Sequence, residues 1–363
     1  MKLSIQAFVL RGLIEKAASV LPSRSAIDIL RDFYIEVGDT MEVAATDLEL
    51  SVIASTTDIE VERPGIAVFP GKELRDVVKT LPDAAEVFIE VDELKAKVKS
   101  ARASWEFRLH KSTTYPALPT DAETFYEVPR DTFVSAVERV RNSASHDAVH
   151  PSLGMVSVKG GKMRAADGSR AAQVPVEGVP DLQIPIGAVD DLLRMLRLTA
   201  ADTFEVATTE NHIVFKIGDD RFIATRLAAT FPDIDKALLK PALTNSDELE
   251  VDRDALLTAL RRVSVTADAE TNAVRLSVTK KTVSVRTKDK TGNTAEEVVD
   301  AIWKGSKTRA VAVNLTHLKD LVAMNTGQNV TLFFGEGSKT SPAPLLLRED
   351  TSIGVLNQIR VTL

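Results

Sequence analysis

The sequence contains no cysteine, and aromatic residues make up only 5% of its 363 residues. Without cysteine there is neither a disulfide framework nor thiolate chemistry, which suits a reducing cytoplasm. No run approaches the roughly 20 apolar residues that a transmembrane helix needs. Arg11 and Glu15 interrupt the apolar stretch near the N-terminus, so it does not read as a signal peptide. These absences predict a cytoplasmic globular protein.

Motifs for the common catalytic chemistries are absent as well. The sequence has no G-x-x-x-x-G-K-[ST], no G-x-S-x-G and no H-E-x-x-H. Its five histidines are scattered, and none pairs with carboxylates at metal-ligand spacing. The nearest approach to a catalytic or metal-binding set is His146, Asp147, His150, Asp167 and Ser169. An enzyme built on this set stays an alternative to exposed loop residues beside a turn. Otherwise we expect a non-catalytic protein without metal or cofactor.

One helical pattern occurs three times at a constant spacing. In Val128–Ala144, four apolar residues recur at i, i+3, i+4 and i+7, the stripe of a half-buried helix. The same stripe occurs 123 residues later in Val251–Ala267 and 123 residues earlier in Ile5–Leu21. The stripes consist of Phe133, Ala136, Val137 and Val140, then Leu256, Ala259, Leu260 and Val263, and finally Leu10, Leu13, Ile14 and Ala17. The spacing predicts a tandem of three similar repeats.

Each repeat combines two helices with many short alternating strands. The first repeat is predicted as β-α-β-β-β-α-β-β-β, and the second and third follow the same order. Second helices are predicted at Gly71–Leu81, at Val189–Leu196 and around Leu315–Met324, and a last strand at Leu356–Val361. Two helices against antiparallel strands predict an α+β fold in which helices cover one sheet face.

Two linkers divide the chain into three domains. Residues Ala117–Thr124 and Lys240–Asp247 are proline-bearing and rich in turn formers. They predict domains at residues 1–120, 121–245 and 246–363. Each is long enough to bury its own core.

Short segments in all three repeats resemble one protein family. The chain is similar to the β sliding clamp, the processivity subunit of bacterial DNA polymerase III. The matching segments are SVLPSRSAIDIL (Ser19–Leu30), ATDLEL (Ala45–Leu50), GM (Gly154-Met155), RAADGSRAA (Arg164–Ala172), FPD (Phe231–Asp233), NAVRLSV (Asn272–Val278) and AEE (Ala295–Glu297). No single segment is decisive, but all occur in the order of the family and span nearly the whole chain.

The resemblance implies three clamp domains per chain and a homodimer that closes head to tail into a ring. Such a ring encircles double-stranded DNA and tethers the polymerase to it. The charge distribution agrees, because the six predicted helices are on balance basic although the whole chain carries a net charge of −7. A mildly basic lining can hold DNA loosely through phosphate contacts. Scattered charge on solvated helix faces would give a similar balance.

Family DNA contacts carry over to individual residues of this chain. They correspond to Arg24, Lys72, Lys79 and Arg194, and His146 stands where the family often has glutamine. Any one of these residues could equally be an ordinary solvated surface side chain.

The resemblance also implies a pocket that binds short peptides of polymerase, clamp loader and repair proteins. Carried over residue by residue, it consists of Ser152, Leu153, Gly154, Ala166, Gly168, Ser169, Arg170, Ala171, Pro232, Lys236, Ala237, Gln358, Ile359, Val361 and Leu363. Small side chains here would leave room for an apolar anchor. Taken without the family, Asp167-Gly168 is a plain hairpin turn.

Ring closure in the family uses an aromatic and an aliphatic residue on an edge strand of the first domain. These match Trp105 and Phe107, and their partners in the third domain match Val265 and Thr266. An exposed tryptophan on an edge strand would be an aggregation hazard, which an obligate interface removes. A tryptophan buried in an ordinary core is the alternative.

Several departures from the family fall in the pocket. Ser169 replaces its histidine, Ala171 replaces its leucine, and Arg360–Leu363 replaces its usual C-terminal ending. We therefore consider a divergent member from a phage, plasmid or secondary locus with a changed partner motif. A second alternative is a clamp-fold protein that binds replication partners without tethering a polymerase to DNA.

Overall fold

The computed structural model describes residues 1–119, 122, 124–337 and 342–360. The chain forms two compact units. Unit 1 comprises Met1–Arg130 and Ala188–Arg226, and unit 2 comprises Asp131–Gly187 and Leu227–Leu363. The second repeat is therefore shared between the units. The three domain ranges drawn from the sequence stay a prediction.

The described residues form 25 strands and seven α-helical segments. The helices are α1 (Ala7–Ala17), α2 (Gly71–Thr80), α3 (Arg130–Val140), α4 (Ile186–Leu198), α5 (Lys240–Ala242), α6 (Arg253–Val263) and α7 (Leu315–Ala323). The strands are β1 (Lys2–Gln6), β2 (Asp32–Val37), β3 (Met41–Thr46), β4 (Leu50–Thr56), β5 (Glu60–Arg63), β6 (Gly65–Pro70), β7 (Glu86–Asp92), β8 (Lys95–Ser100), β9 (Ala103–Arg108), β10 (Tyr126–Pro129), β11 (Met155–Lys159), β12 (Lys162–Ala166), β13 (Arg170–Pro175), β14 (Leu182–Pro185), β15 (Thr203–Thr208), β16 (His212–Ile217), β17 (Asp220–Thr225), β18 (Asp247–Asp252), β19 (Ala273–Val278), β20 (Thr282–Lys288), β21 (Thr294–Trp303), β22 (Arg309–Asn314), β23 (Asn329–Phe334), β24 (Leu345–Glu349) and β25 (Ser352–Leu356).

The threefold helical repeat is confirmed residue by residue. Helices α1, α3 and α6 are each 11 residues long and begin at residues 7, 130 and 253, which are 123 residues apart. All twelve predicted stripe residues are buried. In unit 1, α1 packs on α2, β3 and β4, and in unit 2, α6 packs on α7, β20 and β21. The apolar spacing thus determines which face of each helix is buried.

Three antiparallel sheets organise the two units. Unit 1 contains a five-stranded sheet in the order β5-β1-β7-β8-β9 and an eight-stranded sheet in the order β10-β15-β16-β17-β4-β3-β2-β6. Unit 2 contains a twelve-stranded sheet in the order β14-β11-β12-β13-β25-β24-β23-β18-β21-β20-β19-β22. Among the described residues, no helix is long and apolar enough to cross a membrane.

Successive repeats are joined by the same ladder in both units. In unit 1, β4 pairs with β17 from Leu50↔Ala224 to Ile53↔Arg221. In unit 2, β13 pairs with β25 from Arg170↔Leu356 to Gln173↔Ile353. In each case the hairpin turn contains an aspartate, and the second strand of the hairpin pairs with the last strand of the following repeat. The junctions are therefore structurally equivalent.

The strand predictions needed two corrections. The last described strand is Ser352–Leu356, and residues 357–360 of the predicted strand Leu356–Val361 lie outside it, because the N–H groups of Asn357 and Ile359 bond to carbonyls of Ser169 and Ala312 instead of continuing the ladder with β24. Val361 itself lies outside the described residues. The sequence analysis also missed three strands, namely β5, β6 and β14, and it predicted the strands before α3 and α6, which are β10 and β18, without giving their bounds. All four residues of β5 are exposed, and β14 is a four-residue strand ending in proline, so alternation could not reveal these two.

Candidate functional site

The turn between β12 and β13 is held by the side chain of Asp167. Its Oδ1 atom accepts hydrogen bonds from the backbone N–H groups of Ser169 and Arg170, both at 2.9 Å. Gly168 at the tip has a φ of +89°, in the left-handed region where a side chain is strained. The aspartate and the glycine therefore fix the shape of the turn.

Arg170 anchors this turn to the rest of unit 2. The residue is only 7% exposed. Its Nε donates to Asp167 Oδ2 at 2.9 Å, one terminal nitrogen donates to Asp320 Oδ2 at 2.7 Å, and the other donates to the carbonyl of Asn142. Asp320 belongs to α7, and Asn142 follows α3. One guanidinium thus links the hairpin to two helical elements.

An apolar cluster lies beside the turn. Its buried members are Ala166, Ala171, Ile234, Leu239, Ala242, Leu346 and Val355, and the half-buried Leu153, Phe231, Leu238, Phe333 and Ile353 pack against them. Ala166 and Ala171 are fully covered. The half-buried side chains therefore present apolar surface to solvent. The small side chains of Ala166 and Ala171 lie in the buried layer next to them.

The remaining predicted pocket residues that are described lie on loops, except Ser152 in the 3₁₀ turn Pro151–Leu153 and Lys236 in the π-helical turn Asp235–Leu239. Ser152, Gly154, Pro232, Lys236, Gln358 and Ile359 are half-buried or exposed. Gln358 Nε2 donates to the carbonyl of Ala343 at 2.6 Å, and the N–H of Ile359 donates to the carbonyl of Ala312 at 2.8 Å. Val361, Leu363 and the side chain of Ala237 lie outside the described residues.

The sequence analysis missed Asn357, Asp320 and most of the apolar cluster. The backbone N–H of Asn357 donates to the carbonyl of Ser169 at 2.8 Å, and its side-chain amide donates to that of Gly168 at 3.3 Å. These contacts depend on the long-range pairing of β13 with β25, which leaves no local pattern. Phe231 alone carried a signal, because it belongs to the FPD segment.

His317 on α7 borders the Arg170 network. Burial and the positive charge of Arg170 lower the pKa of His317, partly opposed by Asp167 and Asp320. Its Nε2 lies 3.9 Å from Asp167 Oδ2. Its Nδ1 is buried without a hydrogen-bond partner in the described part of the chain. Burial and Arg170 therefore favour the neutral form of the imidazole.

The structure does not assemble the proposed catalytic set. His146, Asp147 and His150 are exposed, and Asp147 Oδ1 accepts the N–H of Val149 at 2.9 Å within their own loop. Asp167 instead serves the Arg170 network. Among the described residues, no three His, Cys, Asp or Glu side chains are placed to hold a metal ion.

The predicted DNA contacts are all exposed, four in unit 1 and His146 in unit 2. Arg24 follows α1, whereas Lys72 lies at the start of α2 and Lys79 near its end. Lys79 Nζ lies 3.4 Å from Glu15 Oε1. Arg194 donates to Asp191 at 2.6 Å, and burial raises the pKa of Asp191 although Arg194 opposes the shift. Phosphate contacts by Lys79 and Arg194 would compete with these pairs.

Glu15 provides a test of the helix pair α1 and α2. Arg75 donates to both of its oxygens, at 3.0 and 2.6 Å, and these bonds lower the pKa of Glu15 despite its partial burial. The pair is more than a third exposed, so Glu15→Gln should lower the free energy of unfolding by less than about 1 kcal/mol at pH 7. Because the folded pKa is depressed, the difference should persist above about pH 4.3 and vanish as pH falls through the folded value. Urea titrations at several pH values would measure it, with Glu73→Gln as control. A difference that grows in acid would contradict this account.

The predicted interface residues have different surroundings. Trp105 is half-buried on β9, whereas Phe107 is only 8% exposed and packs edge-on against Phe69 at 6.0 Å between ring centroids. Val265, after α6, is 85% exposed. The hydroxyl of Thr266 lies 2.7 Å from that of Thr287. Phe107 therefore belongs to the core of unit 1, and Trp105 and Val265 offer apolar surface.

Comparison with known proteins gives a consistent result. Sequence models described as the N-terminal and C-terminal domains of the DNA polymerase III beta subunit match residues 1–119 and 242–357. The chain is 25% identical over 344 residues to the beta sliding clamp of Escherichia coli K12, covering 92% of each chain. It shares its fold with the Pseudomonas aeruginosa DNA polymerase sliding clamp, with a TM-score of 0.89, 20% identity, and coverage of 99% and 100%. A Bartonella birtlesii clamp described as bound to griselimycin gives a TM-score of 0.89 at 23% identity, with the same coverage.

Proposed function

The chain belongs to the DNA polymerase III beta subunit family and is a DNA sliding clamp, and from this premise we propose how its residues carry the function. It works in the cytoplasm as a homodimeric ring around duplex DNA and holds the replicative polymerase there. It has no catalytic role of its own. Polymerase and clamp loader bind through short peptides at the Asp167–Arg170 turn of unit 2.

Two unpaired strand edges carry the proposal of a ring. Each junction between repeats pairs the second strand of a hairpin with the last strand of the next repeat. The corresponding strand of the third repeat is β21, whose β18-facing edge pairs only at Ala301–Trp303 among the described residues. The corresponding last strand of the first repeat is β9, the terminal strand of its described sheet. A second copy would satisfy both edges.

The expected pairing can be stated in register. The last pairs before the hairpin turns, Thr46↔Ser51 and Lys288↔Thr294, make Thr294 of β21 equivalent to Ser51 of β4. Both β9 and β17 follow two-residue turns, so their first residues, Ala103 and Asp220, are equivalent. In the β4–β17 ladder Phe222 pairs with Val52, and the equivalent pair is Trp105 with Ala295 of a second copy. This is an antiparallel pairing like those within the chain.

The peptide site is supported by the combination of a rigid turn and half-buried apolar side chains. The Arg170 network and the φ of Gly168 hold the turn in one shape, so little ordering is needed when a peptide binds. Leu153, Phe231 and Ile353 supply apolar contact. The changes at Ser169 and Ala171 alter side chains beside this surface, which supports a partner motif of its own.

DNA retention tests the proposed tether. The chain is loaded onto nicked circular duplex DNA, and we expect it to stay bound until a restriction enzyme linearises the circle. The affinity of the clamp for DNA should fall less steeply with salt concentration after both Arg24 and Lys72 are changed to glutamine. The magnitude of the slope of log affinity against log salt concentration should decrease by about 0.9 for each phosphate that is no longer neutralised. Lys99→Gln, on the exposed face of β8, serves as the control. Partner-peptide binding without retention on circles would favour the alternative, an interaction protein that is not a tether.

A further inference from the structure

The turn between β3 and β4 in unit 1 repeats the peptide-site turn of unit 2. Asp47 Oδ1 accepts the N–H groups of Glu49 at 2.9 Å and Leu50 at 2.7 Å. Asp167 makes the same two bonds, to the residues two and three positions ahead. The structural equivalence of the repeats therefore extends from strand pairing to individual side-chain hydrogen bonds.

The strand that closes each turn also makes the same contacts. The N–H of Thr225 donates to the carbonyl of Glu49 at 2.8 Å, and its hydroxyl donates to that of Leu48 at 3.3 Å. Asn357 makes the corresponding bonds in unit 2, at 2.8 and 3.3 Å. Ile223 on β17 then corresponds to Val355 on β25, and both are buried in apolar clusters.

One residue differs in a way that points to binding. Leu48 occupies the position of Gly168, with a φ of +80° against +89°. A leucine in this region is strained by roughly 1–2 kcal/mol, and such strain tends to collect at functional sites. Its side chain is 54% exposed, so it gains little from burial in the chain itself. The strained backbone presents an apolar side chain to solvent.

A cleft of about 490 Å³ opens beside Leu48. Its walls are the Asp47–Glu49 turn, the segment 116–119 and the turn 209–212, and Ile223 lies at its base. Leu118 from the second of these walls packs on the buried cluster that contains Ile223. The volume lies within the range of about 300–1,000 Å³ that small ligand sites occupy.

The cleft carries negative charge. Glu49 and Glu210 line it and are exposed, and the described lining residues include neither lysine nor arginine. Arg226 donates to the carbonyls of Thr209 and Glu210 at 2.8 and 3.0 Å and so fixes one wall. A positively charged group entering beside Leu48 would meet two carboxylates.

We propose that this cleft is a second peptide-binding site, which takes a short segment of a partner protein with an aliphatic or aromatic anchor next to a lysine or arginine. Leu48, Leu118 and Ile223 would contact the anchor. Glu49 and Glu210 would pair with the basic residue, and the equivalence with the unit 2 turn supports a peptide as the occupant.

Methyl NMR on the full chain tests the proposal with two defined probes, acetyl-Arg-Leu-Phe-amide and acetyl-Glu-Leu-Phe-amide. We expect the arginine peptide to shift the methyl signals of Leu48, Leu118 and Ile223 saturably at millimolar concentration. The glutamate peptide should bind at least five-fold more weakly. The methyl signals of Leu153 and Ile353 report the unit 2 site separately, so failure of one site is distinguishable from failure of the other.

Two variants separate binding from a structural role. Changing both Glu49 and Glu210 to glutamine should weaken the arginine peptide about 3- to 10-fold and leave the glutamate peptide unchanged or tighter. Leu48→Gly should keep or raise the Tm, because it relieves the left-handed leucine, and should weaken both peptides at least three-fold.

The proposal is overturned if neither peptide shifts the three methyl signals, or if the two peptides bind equally. It also fails if Leu48→Gly lowers the Tm and leaves peptide affinity unchanged, since Leu48 would then be a packing residue. Shifts that depend on protein concentration without any peptide would mean that a second copy of the chain fills the cleft.

Discussion

Arg170→Met is expected to lower the unfolding free energy of unit 2 by about 3–5 kcal/mol and to abolish the binding of partner peptides at the Asp167–Arg170 turn. The substitution fills much of the same volume, but it leaves Asp167 and Asp320 without their shared cation. Removing one partner of a buried ion pair costs this much because the remaining charges stay desolvated. The turn would also lose its links to α7 and to the backbone after α3. Denaturant unfolding and a titration with a clamp-binding peptide of the polymerase would measure the two effects.

Two further variants make this test specific. Arg348→Met removes an exposed arginine of the same sheet, so its effect should stay within about 0.5 kcal/mol. Adding Asp320→Asn to Arg170→Met should restore part of the stability, because one uncompensated charge disappears. An Arg170→Met protein with an unchanged unfolding midpoint would show that the network is not a structural anchor.

Trp105→Ala is expected to split the dimer and to abolish processive synthesis. If β9 pairs with β21 of a second copy, each ring contains two identical interfaces with a tryptophan in each. A tryptophan anchor typically contributes about 2–4 kcal/mol to an interface, and here both interfaces lose it at once. Light scattering at micromolar concentration should give twice 39.4 kDa for the wild-type chain and 39.4 kDa for the variant.

Tyr126→Ala is a matched control for that experiment. Tyr126 is also an aromatic residue on the terminal strand of a sheet in unit 1, and it is 56% exposed. Its loss should leave the dimer intact. A wild-type monomer in solution would shift the explanation to a ring that closes only on DNA, and a dimeric Trp105→Ala protein would place the contact elsewhere.

Local patterns predicted the helices better than the strands. The stripe around Phe133 repeats at 3.6-residue spacing within one segment, so both the helix and its buried face follow from nearby residues. Strand β5 has no buried residue at all, and its place in the sheet depends on pairing with β1. The end of β25 depends likewise on carbonyls far away in the sequence, which explains the misplaced last strand.

The same limit applies to the site. Asp167, Gly168 and Arg170 could be named because the turn is local and resembles a family motif. Asp320 and Asn357 could not, since they reach the turn only through the fold. Phe107, which the resemblance assigns to the dimer interface, is 8% exposed and contacts Phe69 within unit 1, so its part in the interface stays a prediction.

The division of the second repeat between two compact units has a consequence for folding. Residues 131–187 belong to unit 2, where β13 pairs with β25. Residues 188–226 belong to unit 1, where β17 pairs with β4. The second repeat therefore pairs with the first repeat through β17 and with the third through β13, and excising it would leave the partner edges of β4 and β25 unpaired. Cooperative melting should follow the two units and cross the boundaries of the tandem duplication. During synthesis, the outer edge of β4 stays unpaired until β17 has left the ribosome.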